Sequence, residues 1–295
     1  MCSLMIASDE SAEGRTACAA QSAEDKQRGQ DSFAALVELG SAPKRPPEGV
    51  REMPAEKGIG LVIRKTDFSE TSRIVTLFTR EVGQIRALAK GGRRIRGAFE
   101  SALDLLSVCS IVWLRKSPGA LDLLTEAQLV ERFPHLWRHL PSLYAGYHVA
   151  QLLGDFTRPY DAHPALFDAA LTTLRHLGTT PVGWTLMRFE MTLLRETGFA
   201  PNLIACAVCH RDLSAEREAA ASATRGGIVC LSCASKVAGT QRLSGPAVEA
   251  LRALASDRLP RADAEVERAV RAFFNDYETH LLGWPPRTLA YLEGT

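Results

Sequence analysis

The chain has 295 residues, 46% of them hydrophobic and 23% charged, with a formal net charge of +1 at pH 7. That is an ordinary globular composition with room for two cored domains, and no apolar run approaches the ~20 residues a membrane span requires. Seven cysteines in so long a chain, without a secretory signal, exclude a disulfide scaffold and point to a reducing, cytoplasmic setting.

Residues 1–57 are rich in Ala, Ser, Glu and Gln, with one short apolar patch from Phe33 to Leu39 and a Pro-Lys-Arg-Pro-Pro stretch ending at Pro47. So little apolar surface does not offset the entropy of ordering, and the expectation is a disordered tail. A transit peptide is the functional alternative, but such peptides are Arg-rich and acid-poor, and this segment is neither. An upstream start codon adding dispensable sequence is the bland explanation.

From Gly58 the texture changes to short β-branched runs. Ile59–Lys65, Ser72–Arg80, Gly83–Lys90, Val108–Lys116 and Ala120–Leu129 each read as a strand, and Ser117-Pro118-Gly119 as a hairpin turn. Five strands with no space for crossover helices predict a small antiparallel barrel of the OB-fold type over residues 58–130. The net charge hides an asymmetry, because residues 1–57 carry seven Lys/Arg against ten Asp/Glu whereas residues 58–120 carry eleven against five. A basic module implies a polyanionic partner, although basic surfaces also serve solubility.

Within Gly83–Lys90, alternation turns Ile85, Ala87 and Ala89 to one face and Arg86, Leu88 and Lys90 to the other. The strand runs into Lys90-Gly-Gly-Arg93-Arg94-Ile-Arg96-Gly97, the densest positive cluster in the chain. Guanidinium groups on a glycine-rich loop grip phosphate oxygens in bidentate fashion, so Arg86, Lys90, Arg93, Arg94 and Arg96 are the expected nucleic-acid contacts, with Arg64, Lys65 and Arg73 extending the groove. The competing reading is a solvated loop whose charge only keeps it exposed. Phe68 and Phe99 lie in turn-like polar contexts suited to stacking bases, while Phe78 and Trp113 lie inside strands and read as core.

After Val130 the periodicity becomes helical. Apolar residues recur at helical spacing over His135–Thr157, Ala165–Leu177, Val182–Thr197, Pro246–Ala255 and Ala264–Leu282, which predicts a helical domain over 131–295. Gly198 is the expected cap that turns the chain toward Cys206-Ala-Val-Cys209 and Cys230-Leu-Ser-Cys233. Two Cys-x-x-Cys pairs separated by twenty residues have the spacing of a four-thiolate zinc knuckle, here at about 203–236. Four thiolates close the coordination sphere, so the expected Zn2+, one per chain, is structural. A disulfide pair would need an oxidising compartment, and a redox motif would need one pair beside a βαβ unit. His210 as a substitute ligand would strain its turn.

No catalytic constellation emerges. His135 and His139 would share a helix face but lack the glutamate of a metalloprotease motif, and both read as helix-surface residues. Gly58 and Gly60 lack the third glycine of a dinucleotide loop, and neither a phosphate-cradling Gly-Lys loop nor a Gly-x-Ser-x-Gly elbow occurs. Nothing argues for an enzyme.

The run Gly60-Leu-Val-Ile-Arg-Lys-Thr-Asp67-Phe-Ser-Glu70-Thr-Ser-Arg73-Ile-Val-Thr-Leu-Phe-Thr-Arg-Glu81-Val-Gly83, continued by Ala89-Lys90-Gly91-Gly92-Arg93-Arg94, resembles the start of the RecO family of bacterial recombination mediators. The Cys-x-x-Cys pairs after Glu196-Thr-Gly198-Phe199-Ala-Pro201 also resemble that family, many of whose members carry a zinc knuckle there. The resemblance covers about residues 58–255; the long extension before Gly58 departs from the pattern. It implies a non-enzymatic, nucleoid-associated protein of DNA repair and recombination that binds single- and double-stranded DNA and anneals complementary strands. The implied partners are RecR and the single-strand-binding protein, with help in placing the RecA recombinase on gapped DNA. A rival of another class is a protein-interaction adaptor whose basic loop docks an acidic partner tail. A nuclease would need a metal-binding carboxylate cluster that the sequence does not display.

Overall fold

The computed structural model describes residues 54–92, 99, 102–117 and 119–292. The expected tail up to residue 53, Arg93, Arg94, Arg96 and Pro118 therefore lie outside the described residues. Five strands, β1 (Ala55–Asp67), β2 (Arg73–Thr79), β3 (Gly83–Ala89), β4 (Val108–Leu114) and β5 (Asp122–Glu131), close into a barrel in the order β1-β2-β3-β5-β4. Every pairing is antiparallel except β3 with β5, where Ala87, Leu88 and Ala89 face Asp122, Leu123 and Leu124 in parallel. This is the connectivity of the OB-fold. The early half of β1 pairs with β4 and the later half with β2, and a register shift between Val62 and Arg64 bends the strand between its partners. The ladder to β4 carries β1 back to Ala55, ahead of the Gly58 at which composition alone changes.

The inward set Val62, Val75, Leu77, Ile85, Ala87, Cys109, Ile111 and Trp113 fills the barrel. The Cys109 thiol donates to the Ala102 carbonyl at 2.7 Å, and burial pushes its pKa up to about 12. Phe78 and Trp113 are fully buried, as expected of strand aromatics. Phe99 is the exception to the stacking expectation: it is 5% exposed and sits with Ala102 and Leu103 in the barrel core. A ring without a polar handle gains about 2–3 kcal/mol by leaving water, which outweighs its polar neighbours in sequence. Phe68 remains 61% exposed in the β1–β2 loop.

Helices α1 (Leu140–Phe156), α2 (Pro164–His176) and α3 (Val182–Glu196) follow, and then α4 (Leu231–Ala234), α5 (Gly245–Ala255), α6 (Ala264–Leu282) and α7 (Leu289–Leu292). His135 and His139 do not share a helix. A 3-10 turn over Pro134–Arg138 ends before His139, whose backbone is extended at φ −139°, and α1 restarts at Leu140. Pro141 explains the break, since its ring would clash with the carbonyl four residues back in a continuous helix but is tolerated in the first turn of a new one. His135 instead bonds the Leu174 carbonyl at 2.8 Å and His139 the Ser142 hydroxyl at 2.8 Å. No helix among the described residues is long and apolar enough to cross a membrane.

Barrel and helices share a core. Leu61, Ile63 and Phe78 point out of the barrel into a cluster with Val149, Leu153, Phe167 and Phe189, and the Phe78 and Phe167 rings lie 6.2 Å apart. Arg80 clamps Asp168 through two 3.0 Å hydrogen bonds, and Arg175 holds Glu131 from 2.8 Å. The loop after α1 lies against β3, where the Tyr160 N–H donates to the Gln84 carbonyl at 3.0 Å. Beside it Gly83 has φ +73°, and a Cβ there would stand 1.8 Å from the Asp161 carbonyl oxygen. Gly119 has φ +86° with open space around it. The substitution Gly119→Ala therefore costs only the left-handed strain, about 1–2 kcal/mol, whereas Gly83→Ala adds a backbone collision and costs more than about 3 kcal/mol. Urea denaturation of the two variants checks the difference.

Candidate nucleic-acid interface and thiolate site

The register of the first three strands decides which cations act together. Arg64 faces Thr76 on β2, and Thr76 faces Arg86 on β3, so the two arginine backbones flank the buried Thr76 about two strand spacings, or about 10 Å, apart. The next outward row is Thr66, Ile74, Leu88 and Leu123, half-buried at Ile74, Leu88 and Leu123, and the exposed Lys90 ends β3 beside it. Exposed Phe68 stands at the tip of the adjoining loop. Among the described residues Arg64, Arg86 and Lys90 make no ion pair. This face carries cations beside apolar side chains, the combination that neutralises phosphates and offers surfaces to bases.

Lys65 and Arg73 belong to the opposite set of alternating positions. Lys65 is held by Asp104 at 3.1 Å and Arg73 by Asp67 at 2.9 Å. The structure thus brings Arg64, Arg86 and Lys90 together and turns Lys65 and Arg73 aside.

The β4–β5 loop is fixed from behind. Asp122, 3% exposed, accepts from the Lys116 N–H at 2.9 Å and from the Tyr160 hydroxyl. Burial and that second hydrogen bond push the Tyr160 pKa up. The Arg115 guanidinium lies over the Tyr160 ring, 3.6 Å from its centroid. No local pattern marks this clamp, because its parts come from a strand end and a distant loop.

The four predicted cysteines converge. The sulfurs of Cys206, Cys209, Cys230 and Cys233 all lie within 4.8 Å of one another, with Cys209 and Cys230 3.8 Å apart. A tetrahedron with metal–sulfur bonds of about 2.3 Å has edges of about 3.8 Å, so the donor set fits an ion. The first pair sits in a turn closed by the His210 N–H to the Cys206 carbonyl at 2.9 Å, with His210 itself left-handed at φ 60°. The second opens α4, where the Cys233 N–H donates to the Cys230 carbonyl at 2.9 Å. Burial opposes a Cys206 thiolate, but N–H groups of Cys209, Cys230 and Val208 outweigh it and bring the pKa down to about 6. Hydrogen bonds to Cys230 and Cys209 raise Cys233 to about 12.

The knuckle rests on a sheet that no β-branched run announces: β6 (Ala219–Ser222) between β7 (Gly227–Val229) and β8 (Gln241–Leu243). Its second support is Arg252 on α5, whose guanidinium donates to the carbonyls of Leu203 at 3.1 Å, Leu213 at 2.5 Å, Ser214 at 3.1 Å and Glu216 at 3.4 Å.

A third cluster lies inside the helical core. His148 of α1, Glu190 of α3 and Glu278 of α6 are each fully buried, and Arg271 clamps the Glu190 carboxylate with its two terminal guanidinium nitrogens. Burial opposes charge on His148, but the facing Glu190 and Glu278 carboxylates raise its pKa to about 9. Burial likewise opposes the Glu190 carboxylate, yet Arg271 and His148 hold it well below the usual carboxylate range, while burial raises Glu278. Nothing in the local sequence marks this group, which joins three separate helices.

Comparison with known families matches residues 53–133 to the model for the Recombination protein O N terminal and residues 138–290 to that for the Recombination protein O C terminal. The chain belongs to the RecO family. Among the RecO relatives, a protein of Rhodopirellula baltica named DNA repair protein RecO is 43% identical over 201 residues, covering 68% of this chain and 74% of that protein. Proteins of the same name from Desulfitobacterium hafniense and Dehalococcoides mccartyi are 32% and 30% identical, covering 59% and 76% of this chain and 62% and 92% of their own lengths. Both RecO segments are thus present in order, the first spanning the barrel and the second the helices with their thiolate site. Removing the Arg252 guanidinium strands several carbonyls at once, so Arg252→Ala is expected to lower stability by about 2–4 kcal/mol and to speed reaction of the four thiols with a chromogenic disulfide. Lysine at 252, which cannot span the four acceptors, restores little of either.

Proposed function

We propose that this chain is a DNA-binding mediator of DNA repair and recombination, working without a catalytic step of its own. It binds single- and double-stranded DNA on the outer face of β1–β3. What carries the reading is the row Arg64–Thr76–Arg86, two cations without ion-pair partners among the described residues on an OB-fold face. Lys90 extends it toward Arg93, Arg94 and Arg96 in the sequence, while Lys65 and Arg73 act at its margin through pairs that a phosphate can displace. Neutralising one strand's phosphates lets a complementary strand approach against less repulsion, which is the physical basis of annealing. In the cytoplasm, at the nucleoid, the protein works with RecR on DNA coated by single-strand-binding protein and assists the loading of RecA. Family membership supports these partners; the electrostatics supports only the polyanion.

The four cysteines hold one structural Zn2+ per chain in this reading. Thiolate-only coordination leaves no position for substrate, and the ion ties the segment around residues 203–236 together. Chelation is expected to expose the knuckle amides to hydrogen exchange well before those of the barrel, and equal exchange with and without chelator would count against the zinc.

Affinity for single-stranded oligonucleotides is expected to fall by about 0.7 log units per log unit of salt for each phosphate neutralised. Arg64→Glu combined with Arg86→Glu reduces that slope and cuts affinity at least about tenfold, with annealing of complementary oligonucleotides falling in step. Affinity that is flat with salt rejects the phosphate grip. Unchanged DNA binding with lost capture of an acidic peptide transfers the face to a protein partner.

A further inference from the structure

We infer that His148, Glu190 and Glu278 form a second metal site, for a divalent transition ion of the zinc or manganese class, at the junction of α1, α3 and α6. Their donor atoms lie within 4.8 Å of one another and all three side chains are fully buried. His148 Nε2 stands 3.1 Å from Glu190 Oε1 and 3.5 Å from Glu278 Oε2. Ligands bound at about 2.1 Å are separated by about 3.0 Å at right angles and about 3.4 Å at tetrahedral angles, so these spacings suit an ion between them.

The surrounding hydrogen bonds select the same arrangement. The Gln151 amide oxygen accepts the Thr288 N–H at 3.1 Å and the Thr288 hydroxyl at 2.9 Å. With its proton committed there, the Thr288 oxygen can only accept from His148 Nδ1, 2.6 Å away. The Nδ1 proton is thereby fixed and Nε2 is turned toward the carboxylates, as in metal-bound imidazoles whose other nitrogen donates to an oxygen. Arg271 braces Glu190 at both oxygens, its Nη1 donating at 2.8 Å to the same Oε1 that faces His148, as ligating carboxylates are themselves hydrogen-bonded.

Glu278 supplies the independent observation. Both its oxygens and His148 Nε2 are buried, and although Nε2 is within ion-pair range of Glu278 and Glu190, no aligned hydrogen bond satisfies them among the described residues. An imidazolium proton would align with one of the two facing oxygens, whereas an ion between the donors has no such directionality. Glu278 therefore offers two oxygens beside Glu190 Oε1 and Nε2. Binding displaces to solvent any proton held on Nε2. One imidazole with carboxylates suits zinc or manganese, whereas a softer ion such as Cu(I) needs thiolates or thioethers. With no exposed ligand, the ion's role is to pin three helices.

The test is metal content per folded chain after dialysis against Zn2+ or Mn2+. Two ions are expected from Zn2+, one released by a thiol-specific mercurial and one retained until the protein is unfolded. Glu278→Gln, nearly isosteric, is expected to keep the mercurial-released ion and lose the other. Wild-type protein holding no ion beyond the mercurial-released one, or a Glu278→Gln variant that retains both, overturns the site and leaves a proton-held ion pair. Should that variant not fold, the wild-type mercurial experiment decides alone. The mercurial-released ion belongs to the cysteines and DNA binding is not measured, so failure here leaves the proposed function untouched.

Discussion

The rest of the structure depends on one constraint: the β1–β2 flank of the barrel is apolar on both faces. Inward residues such as Val62, Val75 and Leu77 fill the barrel, while Leu61, Ile63 and Phe78 point the other way. Exposing those three large side chains would forfeit about 2 kcal/mol each. They are buried against α1–α3, and the Arg80–Asp168 and Arg175–Glu131 pairs fasten the margins. With that flank covered, the outer surface of β1–β3 beyond the bulge, where Arg64 and Arg86 lie, stays in solvent. Burial of one side thus selects the face that stays open.

The helical half solves a different problem. Its second core joins α3, α5 and α6 through Met187, Met191, Leu251, Phe273 and Phe274 and runs up to Cys206, Ile228 and Cys230. The cysteine segment adds Leu203, Leu213, Ile228 and Val229 to that core, and its turns are held between the converging cysteines on one side and the carbonyl-gripping Arg252 on the other. A guanidinium suits this task because its donors diverge in a fixed fork.

Much of this was legible in the residues, for reasons that differ from element to element. The span of α6 is recoverable because both ends carry physical stop signals: the Asp263 carboxylate accepts from Glu265 and Val266, and Gly283 turns left-handed at φ 81°. The cysteine spacing dictates its own convergence. The β6 strand was not legible, since alanine has little strand preference and Ala219–Ser222 owes its conformation to β7 and β8 on either side. Within the basic set, the division between Arg64 and Arg86 on one hand and Lys65 and Arg73 on the other hangs on the bulge after Val62. A shift of one residue exchanges the faces of a strand, and no composition rule locates such a shift. Phe99 illustrates the converse, a ring among polar neighbours drawn inward by the open end of a barrel.

The hydrogen bond between His148 and Thr288 spans 140 positions of sequence. During synthesis the chain emerges N-terminus first at about 5–20 residues per second, so the barrel strands are all available while α1 still carries an unsatisfied imidazole at its centre. The barrel can close around its own interior during that interval, but the helices against which it rests reach their final polar arrangement only after residue 288 has left the ribosome. Residues that meet last in synthesis therefore complete the polar arrangement of α1, which is the first helix made.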